Sequence, residues 1–263
     1  MIDTSEIPVE AETTLLICSS HPRSVAREIE SLSKIGTFRV VGKGCRVLND
    51  TYLDTPGSDL RHHGWILRLR RVDSTWWITL KGPSRETVDG VMERHELEMP
   101  WAVDALAQVV SKLPVRPMSL QAPDISAEDP VKTMMDLGMV VIQHRVTDRQ
   151  VRDVFLNDQY LVIAEIAVDR VKYDFPGGVI LHHEVEIESK LEEYRSAINE
   201  ITGDLLKRFA AKLRIWKFGK LATGQGIDTL FRRNVLNGFV NEDGSLQTEA
   251  YDLVERLLEP VSF

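Results

Sequence analysis

The chain has 263 residues, 43% hydrophobic and 27% charged, a balance that suits one large globular domain or one domain with an appendage. Its 40 acidic residues outnumber 32 basic ones and leave a net charge of -8, which argues against a general binder of nucleic acid or anionic membranes while leaving room for a local basic cavity. Cys18 and Cys45 lack metal or disulfide spacing, the N-terminus lacks signal-peptide character, and no stretch approaches the roughly 18 apolar residues of a membrane span. A cytoplasmic chain, monomeric or homodimeric, with no nucleic-acid or membrane partner is the expectation.

The first predicted strand runs from about Val9 to Ile17 and carries Glu10 and Glu12 two residues apart. Val25, Ile29, Leu32 and Ile35 then recur at helical spacing, with Gly36 as the stop. Strands are predicted at Phe38 to Val41, Cys45 to Leu53, Trp65 to Val72, Trp76 to Lys81 and Val91 to Met99, with antiparallel turns at Asp73-Ser74 and Gly82-Pro83. From about 101 to 138 the pattern becomes helical: Val103, Leu106, Val109 and Val110 mark one helix, a Pro-rich connection follows, and Val131 to Leu137 mark another. Strands resume at Met139 and continue through Val151 to Leu156, Tyr160 to Asp169, Val171 to Phe175 and Val179 to Ser189, with turns at Asn157-Asp158 and Gly177-Gly178. Ile198, Ile201, Leu205, Phe209 and Leu213 form one apolar helical stripe suited to covering a sheet face. Short helices are expected in the last forty or so residues, with Tyr251, Leu253, Leu257 and Leu258 in the final one.

Charge spacing is the most informative pattern in these strands. Arg68 and Arg70, then Lys81, then Arg94, Glu96 and Glu98, then Glu165 and Asp169, then Glu184, Glu186 and Glu188 each fall on one strand face, while Leu67, Leu69, Ile78, Leu80, Leu97, Met99, Val185 and Ile187 occupy the opposite faces. Such faces either meet water or line a site. Carboxylates and cations concentrate on different strands, and carboxylate pairs suit a hard cation while clustered Arg and Lys suit phosphate. Together these describe a site for a metal-chelated polyphosphate.

The order of these elements resembles the CYTH superfamily, the triphosphate tunnel metalloenzymes, from about Val9 to Gly224. The segment NDTYLDTPGSDLRHHGWILRLRRVDSTWWITLKGP is similar to the family's Tyr-Asp-Thr-Pro turn, short helix, LRxR strand and LKGP-like strand end. MERHELEM, AEIAVDRVKY, HEVEIESK and GKLATG resemble the strands and the late element that follow. The resemblance implies an α+β fold, a closed eight-stranded antiparallel β-tunnel with charged interior and helices packed outside, over residues 1–224, with a helical extension at 225–263. It implies Mg²⁺ or Mn²⁺ held by Glu10, Glu12, Glu184 and Glu186, and a triphosphate-containing small molecule bound by Arg68, Arg70, Lys81, Arg145 and Lys220. Glu96, Glu98 and Asp169 would complete the catalytic network, with Glu188 at the edge of the motif.

The chain departs from that pattern where Thr14 takes the lysine position of an ExExK opening, and where Gly219 and Thr223 stand for Ser and Arg. The implied activity is triphosphate hydrolysis, with Thr14 the position at which catalysis would be impaired. The alternatives are a class IV adenylyl cyclase making cyclic AMP from ATP, or a catalytically weak polyphosphate- or nucleotide-binding module. His62-His63 and His182-His183 do not read as zinc ligands, because consecutive strand residues face opposite ways and no third ligand stands at the required spacing. One ring of Trp76-Trp77 is expected in the core, and Ser111, Cys18 and Cys45 lack a neighbouring base for nucleophilic chemistry.

Overall fold

Alternation of charged and apolar side chains builds a sheet whose strands number 11 in the computed structural model, which describes residues 7–88, 90–113, 129–156 and 160–259. In chain order the elements are β1 (Val9–Ile17), α1 (Pro22–Glu30), β2 (Lys34–Ile35), β3 (Phe38–Asp54), α2 (Asp59–His62), β4 (Ile66–Val72), β5 (Thr75–Lys81), β6 (Arg85–Glu86) and β7 (Met92–Pro100). Then come α3 (Val103–Lys112), α4 (Pro130–Asp136), β8 (Val140–Leu156), β9 (Val162–Phe175), β10 (Gly178–Ser189), α5 (Ser196–Phe209), β11 (Leu213–Ile215), α6 (Lys220–Arg232) and α7 (Thr248–Leu258). The strands pair in the order β11-β1-β10-β9-β8-β3-β4-β5-β7-β6, and β1 also pairs with β7, so eight antiparallel strands form a ring of pairings. The expected α+β class with an eight-stranded antiparallel ring is therefore observed.

By contact the chain divides into two units. The first comprises the described residues of Met1–Glu10, Val47–Thr87 and Met92–Arg145. Its core joins Leu67, Leu69, Ile78 and Leu80, all with no exposed surface, to Ala105, Leu106 and Val109 of α3 and Met134 of α4. Each such leucine, isoleucine, valine or methionine contributes about 1.5–3 kcal/mol through burial. These are the odd positions of β4 and the even positions of β5, so the helical insertion covers one face and leaves Arg68, Arg70, Thr79 and Lys81 on the other. Trp76 packs on this core as expected of one ring of the pair.

The second unit comprises the described residues of Ala11–Arg46, Val88–Val91 and Val146–Phe263. Val185 and Ile187 of β10, and Ile166 and Val168 of β9, pack against Val25 and Ile29 of α1 and against Ile198, Ile201 and Leu205 of α5. The helical stripe read in the sequence thus covers the apolar face. A separate cluster, with Val171, Tyr173, Ile180, Ile227, Leu246, Tyr251 and Val254, occupies the opposite face of the same two strands.

Several boundaries differ from the sequence expectation. Phe38 to Val41 and Cys45 to Leu53 are parts of one strand, β3, because Gly42 and Gly44 are accommodated within an extended, exposed stretch. Likewise β9 runs unbroken through Arg170. α1 ends at Glu30, and Ile35 belongs to the short strand β2. α5 ends at Phe209, where Ala210 takes a positive φ of 44°, so Leu213 is a strand residue and not the last member of the helical stripe. The hairpin at Asp73-Ser74 pairs Val72 with Thr75 and places Asp73 at φ 53°. The expected turn at Asn157-Asp158 and most of the Pro-rich connection lie outside the described residues. Among the described residues no helix is long and apolar enough to cross a membrane.

Candidate functional site

In the first unit, Asp50 organises the charged face. It stands opposite Arg70 in the β3–β4 register, and its fully buried carboxylate accepts hydrogen bonds from Arg70 Nε and Nη2 at 2.7 and 2.9 Å. Arg145 Nη2 donates to the same carboxylate at 2.9 Å, and Arg68 Nη1 lies 4.0 Å from it. Burial alone would raise the Asp50 pKa, but the guanidinium groups of Arg70, Arg68 and Arg145 outweigh it and hold the carboxyl well below the ordinary carboxylate range. Arg145 also sits over the Tyr52 ring, 4.7 Å from its centre. Arg68 Nη2 donates to Glu98 at 2.7 Å and to Thr79 Oγ1 at 3.1 Å. Lys81 Nζ lies 2.7 Å from Glu96 and 3.2 Å from Glu10, and Arg94 Nε donates to Glu10 at 3.2 Å.

These groups amount to five cations (Arg68, Arg70, Lys81, Arg94, Arg145) and four carboxylates (Glu10, Asp50, Glu96, Glu98). Burial raises the Glu96 pKa, Lys81 opposes that, Glu10 adds to it, and the result is about 7. Below that pH the face gains further positive charge. The cations are held by the carboxylates in fixed geometry, as a site for a multiply charged anion requires.

The folded chain holds the Glu96 proton more tightly than an ordinary glutamate, which titrates at 4.5, so this group's contribution to stability is fully present below pH 4.5 and is lost as pH rises to about 7. In metal-free protein, denaturant titrations across this window should show a decline in stability that Glu96→Gln flattens. An identical slope in wild type and variant would contradict the assignment.

The second unit gathers the carboxylates. Asp169 and Glu184 are register partners on β9 and β10, and Glu186 shares the Glu184 face. One oxygen from each lies within 4.8 Å of the others, a donor set of hard oxygens suited to Mg²⁺ or Mn²⁺. Two cations of the chain share this nest. Lys220 Nζ, at the start of α6, pairs with Asp169 at 3.0 Å and contacts both Glu184 and Glu186. Arg149 grips Asp169 through Nε at 2.9 Å and Nη2 at 2.6 Å and also reaches Glu186. Burial disfavours the Lys220 charge, yet Glu184, Glu186 and Asp169 prevail and raise its pKa. Burial likewise opposes the Glu184 charge, and Lys220 followed by His182 overcomes it and lowers that pKa. Three carboxylates against two cations leave the nest one negative charge, so a divalent ion still meets a net attraction.

The sequence-derived residues therefore fall into two groups. Arg68, Arg70, Lys81, Arg145, Glu10, Glu96 and Glu98 belong to the first unit, where Glu10 is bound by Lys81 and Arg94. Asp169, Glu184, Glu186 and Lys220 come together in the second, with Asp169 a member of the metal-capable set and Lys220 among carboxylates. Glu12 stands opposite Glu188, and Thr14 opposite Glu186, in the β1–β10 register. Asp50 and Arg149 were not singled out from sequence. Arg149 shares the Arg145 face four residues along β8, and Asp50 shares the Tyr52 face two residues along β3, which is the local signal each carried.

A family model, the CYTH domain, matches residues 24–210, and the chain belongs to that family. Among solved structures, the Hippeastrum protein HpAC1, named as an adenylyl cyclase and described as having a dominant triphosphatase activity, is 16% identical with a TM-score of 0.52, covering 86% of this chain and 96% of that one. The likeness shows the fold. A Bacillus halodurans protein named as an adenylate cyclase is 17% identical (TM-score 0.46, covering 81% and 95%), and the PH1819 protein of Pyrococcus horikoshii is 18% identical (TM-score 0.46, covering 85% and 99%). No curated protein gives a significant sequence match.

Proposed function

We propose that this chain hydrolyses a linear triphosphate, inorganic tripolyphosphate or an organic triphosphate, in a reaction that requires Mg²⁺ or Mn²⁺. The observation that carries the proposal is the division of labour in a CYTH chain between a fixed, cation-rich face and a nest of three carboxylate oxygens within 4.8 Å. Asp169, Glu184 and Glu186 would hold the cation, with Glu10 and Glu12 contributing as the family resemblance implies. When bound, the ion would supply Lewis-acid neutralisation of phosphate oxygens.

Arg68, Arg70 and Arg145 present guanidinium forks, and Lys81 a point charge, to the phosphate chain. Asp50 and Glu98 keep Arg70 and Arg68 in place, so little reorganisation accompanies the build-up of charge in phosphoryl transfer. Glu96, with a carboxyl that titrates near neutral pH, suits the role of taking a proton from water as its oxygen bonds the terminal phosphorus. The bridging P–O bond breaks and its electron pair leaves with pyrophosphate from tripolyphosphate, or with the organic diphosphate from an organic triphosphate. Lys220 and Arg149 both reach Glu186, the register partner of Thr14, and supply positive charge beside the position that lacks a lysine. Thr14→Lys is accordingly expected to leave steady-state turnover on tripolyphosphate no higher than wild type. A clear rise would identify the missing lysine as the limit on catalysis.

The first unit's cation-rich face also suits ATP, which keeps a second reading in view: attack by the ribose 3′-hydroxyl on the α-phosphate. Product analysis separates the possibilities. Incubation with tripolyphosphate and with ATP, each with Mg²⁺ and Mn²⁺, should release orthophosphate. Cyclic AMP with pyrophosphate would establish the cyclase, and tight binding without turnover a binding module.

A further inference from the structure

The C-terminal segment lies beyond the matched residues 24–210, yet it packs on the face of β9 and β10 that carries Asp169, Glu184 and Glu186. Tyr173 and Ile180 continue that face away from the carboxylates, and Ile227, Leu246, Tyr251 and Val254 cover them. Hydrogen bonds to its backbone secure the covering segment: Leu181 N–H donates to Gly244 O at 2.8 Å, and the Tyr173 side-chain O–H donates to the Lys220 carbonyl at 2.7 Å. Within the cover, Tyr251 Oη lies 3.0 Å from His182 Nδ1, and His182 Nε2 lies 2.6 Å from Glu184 Oε2. All three side chains are essentially without exposed surface.

We infer that Tyr251 and His182 are positioning residues that fix the Glu184 carboxylate, so that the C-terminal segment is a working part of the carboxylate nest. An ionised Glu184 can only accept, which requires the proton on His182 Nε2, and in the neutral ring Nδ1 then accepts from the Tyr251 hydroxyl. Burial raises the Tyr251 pKa well above its ordinary value, which keeps the phenol a donor. One Glu184 oxygen is thereby tied by His182 while the other remains directed at the Lys220 and metal-capable side of the nest. Buried outer partners of this kind orient metal-binding carboxylates, and their loss typically costs roughly 10–100-fold in metal affinity.

The inference rests on the proposed metal role of Glu184 for its functional consequence, and the test separates the two. Calorimetric titration of Mn²⁺ into folded, substrate-free protein should show roughly 10–100-fold weaker binding for Tyr251→Phe than for wild type. Equal affinities would overturn the inference. Should wild type bind no Mn²⁺, the metal reading fails, and ¹⁵N NMR of the His182 ring decides the positioning role independently. A single Nε2–H tautomer in wild type that is lost in Tyr251→Phe supports it. An Nδ1–H tautomer in wild type, or a ring signal unchanged by the substitution, refutes it, and the wild-type spectrum alone suffices if the variant does not fold.

Discussion

Asp50→Asn should cost about 3–5 kcal/mol of folding stability, the usual consequence of removing one member of a buried ion-pair network. Its carboxylate is the shared partner of Arg70 and Arg145 and lies 4.0 Å from Arg68, with the Arg68 and Arg145 side chains 6% and 2% exposed. Asparagine keeps the shape and one acceptor oxygen, but it removes the charge and places an amide where guanidinium donors converge. Three desolvated cations then repel one another. Because the folded pKa of Asp50 is depressed below the ordinary 3.8, its contribution is present above that value and is lost as pH falls beneath it. Urea titrations at neutral pH should show the midpoint falling sharply, and the difference between wild type and variant should shrink toward strongly acid pH. A change under about 1 kcal/mol would mean that the three arginines do not depend on Asp50, in the range of an ordinary exposed pair.

Glu186→Gln carries the second large effect, on metal dependence. The amide preserves the side-chain shape and removes the single excess negative charge of the nest, since two carboxylates would then face Lys220 and Arg149. The Mn²⁺ concentration giving half-maximal turnover should rise by at least about 10-fold, and kcat should fall on the order of 10². Glu184→Gln should act in the same direction. Metal titration curves unchanged in both variants would move the cation site elsewhere.

Much of this arrangement was legible because a strand reports its two faces through a period of two. Arg68 and Arg70 against Leu67 and Leu69, and Glu184 and Glu186 against Val185 and Ile187, separate in the structure as their spacing demands. What the pattern does not encode is register between strands distant in sequence. Asp50 matters because pairing sets it against Arg70 and because Arg145, 95 positions along the chain, converges on it. Arg149 meets Asp169 and Glu186 for the same kind of reason. Tyr251 gave no local sign of a polar role: in the sequence it reads as one apolar position of a short terminal helix, and only packing brings its hydroxyl to His182. The end of α5 shows the limit of periodicity, since Leu213 continues the helical spacing while the backbone turns at Ala210.

Metal-dependent triphosphate hydrolysis can be followed on tripolyphosphate by ³¹P NMR with purified chain, in the presence of Mg²⁺ or Mn²⁺ and then of excess chelator, for wild type and Arg68→Met. Wild type should convert tripolyphosphate to orthophosphate and pyrophosphate only while the metal is available, and Arg68→Met should be slower by about 10²–10³-fold, the effect of losing one fixed group that stabilises developing charge. Turnover that persists unchanged in chelator, or a metal-loaded wild type that neither shifts nor consumes the tripolyphosphate resonances, would rule out metal-dependent triphosphate hydrolysis by this chain.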